Sequence, residues 1–186
     1  MTAINTYSGK QVDIENPKAE TIDIRDIAHA LSFICRGCGN TNIFFPVARH
    51  CVYCAKEAKA RGASDAVVLA CLLHDASEAY MMDIPKPIKD NLLPQYRVHE
   101  DRLLDCIYQK FLGSSLTKEE KRQVDEVDHT LLMYDLKFLL RMDVELPEIH
   151  IDLSYEFEPF ERSEQEYLTI FQELYDLVRS STPRLK

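Results

Sequence analysis

His50, His74, Asp75 and Asp128 are the residues whose types and positions in this chain could do chemistry. His74 and Asp75 end a strongly apolar run, Val67-Val68-Leu69-Ala70-Cys71-Leu72-Leu73. A buried ionised carboxylate is costly unless something compensates it. One histidine on an apolar face is ordinarily a hydrogen-bonded core residue, and one aspartate there ordinarily pairs with an arginine or a backbone amide. Four such groups on the buried stripes of three predicted helices have a more economical account. Two imidazoles and two carboxylates converging in a helical core would be compensated together by one divalent cation. Mixed nitrogen and oxygen donors suit Co, Mn, Fe, Ni or Zn better than Ca²⁺, with Mg²⁺ the poorer candidate.

The same segment carries further charge. Glu78 lies one turn beyond His74 and Asp75, on the same side of a predicted helix. Asp83 stands at the end of that helix, before Ile84-Pro85-Lys86-Pro87-Ile88-Lys89. Lys86 and Lys89 would bring positive charge to the mouth of a site. The plain alternative is that Glu78 and both lysines are solvated surface groups.

Helices must position these side chains, and apolar periodicity predicts them. Residues 1–21 read as irregular, with Ser-Gly and Asn-Pro turns. Asp23 caps a helix with Ile24, Ile27, Ala28 and Leu31 on one stripe. A Gly-bearing loop covers 35–45. Pro46 and Gly62 bracket a second helix with Val47, His50, Cys51, Cys54, Ala55 and Ala58 inward. Ser64 caps a third, expected to run to about Asp83, where Pro85 and Pro87 stop it. A fourth spans about 95–112, with Leu103, Leu104, Ile107 and Phe111 inward. Thr117 to Glu120 is a capping box. It opens a long helix with the stripe Val124, Val127, Asp128, Leu131, Leu132, Asp135, Leu136 and Leu139. Residues 144–161 read as irregular, and Ser163 to Glu166 as a second capping box for a last helix over about 163–180. The expectation is an all-α, single-domain helical bundle over 1–186, with its core in about 22–143 and the metal site inside it.

His50, then His74-Asp75, then a distant Asp128 in an all-α chain resembles the HD-domain metal-dependent phosphohydrolase superfamily. The string His74-Asp75-Ala76-Ser77-Glu78 with Asp83-Ile84-Pro85-Lys86-Pro87-Ile88-Lys89 is similar to its bacterial and phage 5′-deoxynucleotidase-like branch. Tyr7-Ser8-Gly9-Lys10, Asp26-Ile27-Ala28-His29-Ala30-Leu31-Ser32 and Cys35-Arg36 are similar too. The likeness covers about residues 5–140. It implies that His50, His74, Asp75 and Asp128 bind one divalent metal and that Glu78 and Asp83 position or activate water. It implies that Arg36 holds a phosphate oxygen, assisted by Lys86 or Lys89. The implied reaction takes 5′-deoxynucleoside monophosphates to nucleoside and phosphate. A triphosphohydrolase acting on deoxynucleoside triphosphates is the rival reading. A homodimer is expected by the same likeness.

Cys35-x-x-Cys38 with Cys51-x-x-Cys54 forms a paired pattern that often marks structural zinc. A noncatalytic, zinc-stabilised helical binding module is therefore a further alternative. Against it, Cys51 and Cys54 fall on an apolar helix stripe, where free cysteine behaves as a small hydrophobe. Cys71 and Cys106 also read as core. His29 and His129 read as packing or surface. No Walker A, Gly-x-Ser-x-Gly or dinucleotide fingerprint occurs.

Composition bounds the rest. A 46% hydrophobic chain of 186 residues can bury a substantial single core. A net charge of −9 disfavours nucleic acid polymers and anionic membrane surfaces as partners. No apolar run matches a membrane span and the start does not resemble a signal peptide, so a cytoplasmic protein is expected, and the resemblance implies a small nucleotide as its substrate.

Overall fold

The computed structural model describes residues 3–181. It is all-α apart from one small hairpin. Strands β1 (Ala3–Asn5) and β2 (Gln11–Asp13) pair antiparallel, with Ile4 opposite Val12. They replace the irregular start expected there. The hairpin turn is held to helix α1 (Ile24–Phe33), whose Asp26 carboxylate accepts from the Ser8 backbone N–H at 2.6 Å and the Ser8 hydroxyl at 2.8 Å. Asp23 caps α1 as expected.

Helix α2 (Val47–Ala60) is the centre of the molecule and packs against α1, α3, α7 and α8. The predicted inward face is buried, and so are Arg49, Val52, Tyr53 and Glu57 on the other sides. Arg49 satisfies its burial through the Glu156 and Ser154 carbonyls at 2.7 and 2.8 Å and Glu158 at 3.1 Å. Those partners belong to the irregular segment before the last helix. That segment straps across α2 and anchors again where Tyr53 donates to the Ser154 carbonyl.

Helix α3 (Asp65–Leu73) is capped by Ser64. All seven residues from Val67 to Leu73 are buried, as a helix apolar on every side requires. The expected continuation to Asp83 does not occur. The His74 ring takes the Cys71 carbonyl at 2.7 Å, the acceptor that a continuous helix would give to the amide of Asp75. The chain tightens through Ala76 N–H to Leu73 O and Glu78 N–H to Asp75 O. It then makes only the short helix α4 (Glu78–Met81), which ends at Met82 with φ 75°. A helix absent from the sequence expectation, α5 (Lys86–Leu92), follows Pro85 directly.

Helix α6 (Pro94–Leu112) ends at Gly113 in the left-handed region, and α7 (Lys118–Phe138) opens with the predicted Thr117–Glu120 capping box. The last helix, α8 (Phe160–Ser181), starts before the predicted second capping box. Ser163 therefore lies inside its first turn, buried, rather than at its cap. Helix α8 packs on α1, α2, α3 and α6, and Tyr167 is fully buried with its hydroxyl donating to the Leu72 carbonyl at 2.9 Å. Among the described residues, no helix is long and apolar enough to cross a membrane.

Candidate metal centre

Helices α2 and α7 and the turn after α3 bring the four predicted donors together. His50 is fully buried on α2, its Nδ1 2.8 Å from Asp135 Oδ2. A carboxylate only accepts, so Nδ1 carries a proton, and in the neutral ring the Nε2 lone pair faces the other way. That nitrogen is 3.0 Å from Asp128 Oδ1 on α7. His74 repeats the arrangement. Its Nδ1 donates to the Cys71 carbonyl, so in the neutral ring its Nε2 is also left with a lone pair. This buried atom has no hydrogen-bond partner, although Asp75 Oδ2 lies 3.2 Å away and Asp128 Oδ1 3.4 Å away.

Such geometry asks for a positive species between the donors. Two electron-rich atoms 3 Å apart repel unless a proton or a cation lies between them. Burial works against charge on both histidines. On His74 the carboxylate of Asp75, the neighbouring cysteines and Asp128 outweigh it. On His50, burial and Arg36 are outweighed by Cys54, Asp135 and Asp128. Both imidazoles are thereby held well above their ordinary range. Fixing one ring nitrogen so that the other faces a ligand site is the usual way a protein orients a metal-binding histidine. His50 Nε2, Cys54 Sγ, His74 Nε2 and an Asp128 oxygen could hold one ion, all within 4.8 Å of one another. Cys51, His74 and Asp75 form an overlapping group.

Arg36 lies against this cluster. Its NH1 is 3.4 Å from Asp75 and its Nε 3.4 Å from Asp135. Burial opposes its charge, but Asp135, Asp75, Asp83 and Glu78 together hold it firmly protonated. Glu78 is buried, with Oε1 3.4 Å from Lys89 Nζ and Oε2 without a partner. Burial, Asp75 and Asp83 push its carboxyl well above the usual range. Burial also raises Asp83, against the pull of Arg36.

The two lysines part company. Lys86 is exposed at the start of α5. Lys89 turns inward to Glu100 at 2.5 Å and is not presented at a mouth. A cavity of about 350 Å³ between α6 and α7 reaches His74 and Asp128, walled by Leu104, Tyr108 and Val124 and by the carboxylates of Asp101, Asp105 and Asp125, with Lys121 as its cation. A more open depression of about 620 Å³ on the outer side of α7 reaches none of the donors.

Three residues at the site are not singled out by the sequence pattern. Asp135 reads as one more member of the α7 stripe, although it lies two turns from Asp128 on the same face. Cys54 reads as packing, although it follows His50 by one turn. Lys121 carries no local signal. The paired cysteines do not assemble. Cys35 contacts Thr41 and exposed Cys38 contacts the Asp83 carbonyl, and neither joins a donor group among the described residues. His29 stacks on Tyr7 and contacts Glu164, and His129 is exposed.

Fold and site thus define an all-α protein with a partly buried cluster of nitrogen, oxygen and sulfur donors that could hold a metal ion. No family model matches the sequence. The chain is similar to "Uncharacterized protein YfdR" of Escherichia coli (strain K12), 40% identical over 111 residues, which are 60% of this chain and 59% of that one. It is also similar to "Uncharacterized protein RCAP_rcc00048" of Rhodobacter capsulatus, 34% identical over 127 residues, which are 65% of this chain and 64% of that one. The matches span less than two thirds of either relative.

Proposed function

We propose that the chain is a metal-dependent phosphohydrolase of the HD-domain kind, acting on 5′-deoxynucleoside monophosphates to release nucleoside and phosphate. The observation that supports it most is the pair of histidines, each with Nδ1 tied off and Nε2 facing Asp128. When bound there, a divalent cation supplies Lewis acidity toward a phosphoryl oxygen and lowers the pKa of water. His50, His74, Asp75 and Asp128 would hold it. Arg36 keeps Asp75 and Asp135 in register and has N–H groups left for a phosphoryl oxygen. Asp83 orients the attacking water and takes its proton. As the water oxygen bonds to phosphorus and the ester bond on the opposite side breaks, the carboxyl of Glu78 protonates the departing alkoxide. The cavity beside His74 and Asp128 has the size to take a nucleoside, with Leu104, Tyr108 and Val124 for its apolar faces, Asp101, Asp105 and Asp125 for its polar groups, and Lys121 for its anionic part.

The test is to strip the protein of metal, reload it separately with Co²⁺, Mn²⁺, Fe²⁺, Zn²⁺, Ni²⁺ and Mg²⁺, and offer ribo- and deoxynucleoside mono- and triphosphates. Orthophosphate from the deoxynucleoside monophosphates, read by ³¹P NMR, is the expected result. Triphosphate as product would move the assignment to triphosphohydrolysis. No product with any metal would overturn the proposal.

A further inference from the structure

We infer that the Cys54 sulfur is a donor to the same ion as His50, His74 and Asp128, so that the centre prefers thiophilic ions such as Zn²⁺, Co²⁺ or Fe²⁺ over Mn²⁺ and Mg²⁺. The inference rests on the preceding reading that the histidines and aspartates hold a metal, and deepens it by naming the class of ion. Cys54 follows His50 by one turn of α2, so both side chains leave the helix on one face. Its Sγ is 3.4 Å from His50 Nε2. Around a tetrahedral zinc, with metal–sulfur bonds of about 2.3 Å and metal–nitrogen or metal–oxygen bonds of about 2.0–2.2 Å, neighbouring donors stand roughly 3.2–3.6 Å apart. Three observed separations lie close to that interval. They are 3.4 Å from sulfur to His50, 3.0 Å from His50 to Asp128, and 3.4 Å from His74 to Asp128.

A second observation points to a ligand independently of the cysteine. His74 Nε2 belongs to a side chain only 8% exposed, has no hydrogen-bond partner, and is directed at this cluster. Cys54 does more than fill space, because its sulfur lies within hydrogen-bonding reach of an imidazole nitrogen rather than against hydrocarbon only. Cys71 is the internal contrast, since it is equally buried but belongs to neither donor group. Asp75, 3.2 Å from the same His74 nitrogen, remains a further oxygen donor. As the sulfur binds, its thiol proton passes to solvent. Soft thiolate then biases the site toward the ions named, whereas the nitrogen and oxygen donors alone would also admit Mn²⁺.

The experiment loads the metal-free full chain with Co²⁺ and records its absorption spectrum. One equivalent of Co²⁺ should give ligand-field bands in the visible together with an intense sulfur-to-cobalt charge-transfer band in the near ultraviolet. Cys54→Ser should keep the stoichiometry and lose the charge-transfer band. It should also lower the preference for Zn²⁺ over Mn²⁺ tenfold or more in competition. Cys71→Ala should keep the band. One bound Co²⁺ without the band in the unaltered chain, or a band that survives Cys54→Ser, overturns the inference and leaves the hydrolase reading standing. The unaltered chain decides this even where a variant folds poorly. Failure to bind Co²⁺ or Zn²⁺ at all overturns both.

Discussion

Asp135 offers a direct way to separate a metal centre from a buried polar network. Its carboxylate holds His50 Nδ1–H at 2.8 Å, accepts the Tyr155 hydroxyl at 3.1 Å and pairs with Arg36 at 3.4 Å, with only 6% of its side chain exposed. Asp135→Asn keeps an acceptor of the same shape and removes the charge. Charge-assisted hydrogen bonds are about twice as strong as neutral ones, so this change should cost about 1.4 kcal/mol at the His50 contact, or about tenfold in metal affinity. Asp135→Ala also frees the ring to rotate, and about 100-fold is expected, the upper end for partners that orient a ligating histidine. Competition between the protein and a chromophoric chelator for Co²⁺ or Zn²⁺ measures both. The metal-free variants must be followed in parallel by thermal denaturation, because Arg36 loses one of its carboxylate partners in each. If both variants bind the ion within twofold of the unaltered chain while losing thermal stability, the His50–Asp135 pair is purely structural and the reasoning fails.

Other expectations follow from the same geometry. Glu78 has a folded-state carboxyl raised well above its ordinary range, so its ionisation on going from acid to neutral pH costs stability. Glu78→Gln should therefore raise the melting temperature of the metal-free protein at pH 7, by roughly 2–4 °C per kcal/mol released, while abolishing turnover. An unchanged or lower melting temperature would contradict that sign. Glu57 behaves oppositely. Burial raises it, but the His150 ring and amide and the Arg61 guanidinium prevail and lower it, so its contribution is present above the usual carboxylate range and lost as pH falls through its folded-state value. Glu57→Gln should cost about 1.5–3 kcal/mol at neutral pH in urea denaturation and flatten the loss of stability below about pH 4.5. A parallel acid limb in the variant would refute this. Lys121→Ala, at the cavity wall, should raise KM for nucleotides about tenfold with kcat little changed. A fall in kcat alone would place Lys121 in the chemistry instead of in binding.

The sequence by itself determined the helical class and most of the helix faces. Apolar residues recurring at helical spacing in α1, α2, α6 and α7 can bury themselves in only one way, and Asp23, Ser64 and Thr117 name their own caps because the side chain meets an amide two or three residues on. It also brought His50, His74, Asp75 and Asp128 forward as a set, since each is a costly group on a face that must be buried. What it could not hold is long-range. The His74 ring captures the Cys71 carbonyl and ends α3, a competition between side chain and backbone that periodicity does not register. Whether a buried lysine is available or paired depends on Glu100, eleven residues on and on another helix, and Lys89 is paired. Ser163 looks like a cap in the local pattern and lies within a helix because α8 is already under way at Phe160. Above all, the roles of Asp135 and Cys54 belong to tertiary structure. Which nitrogen of His50 faces the site is decided by a carboxylate 85 residues away, and that carboxylate is steadied by Tyr155 from the strap crossing α2. Ring orientation, and with it the chemistry, is a property of packed helices rather than of any one stretch of chain.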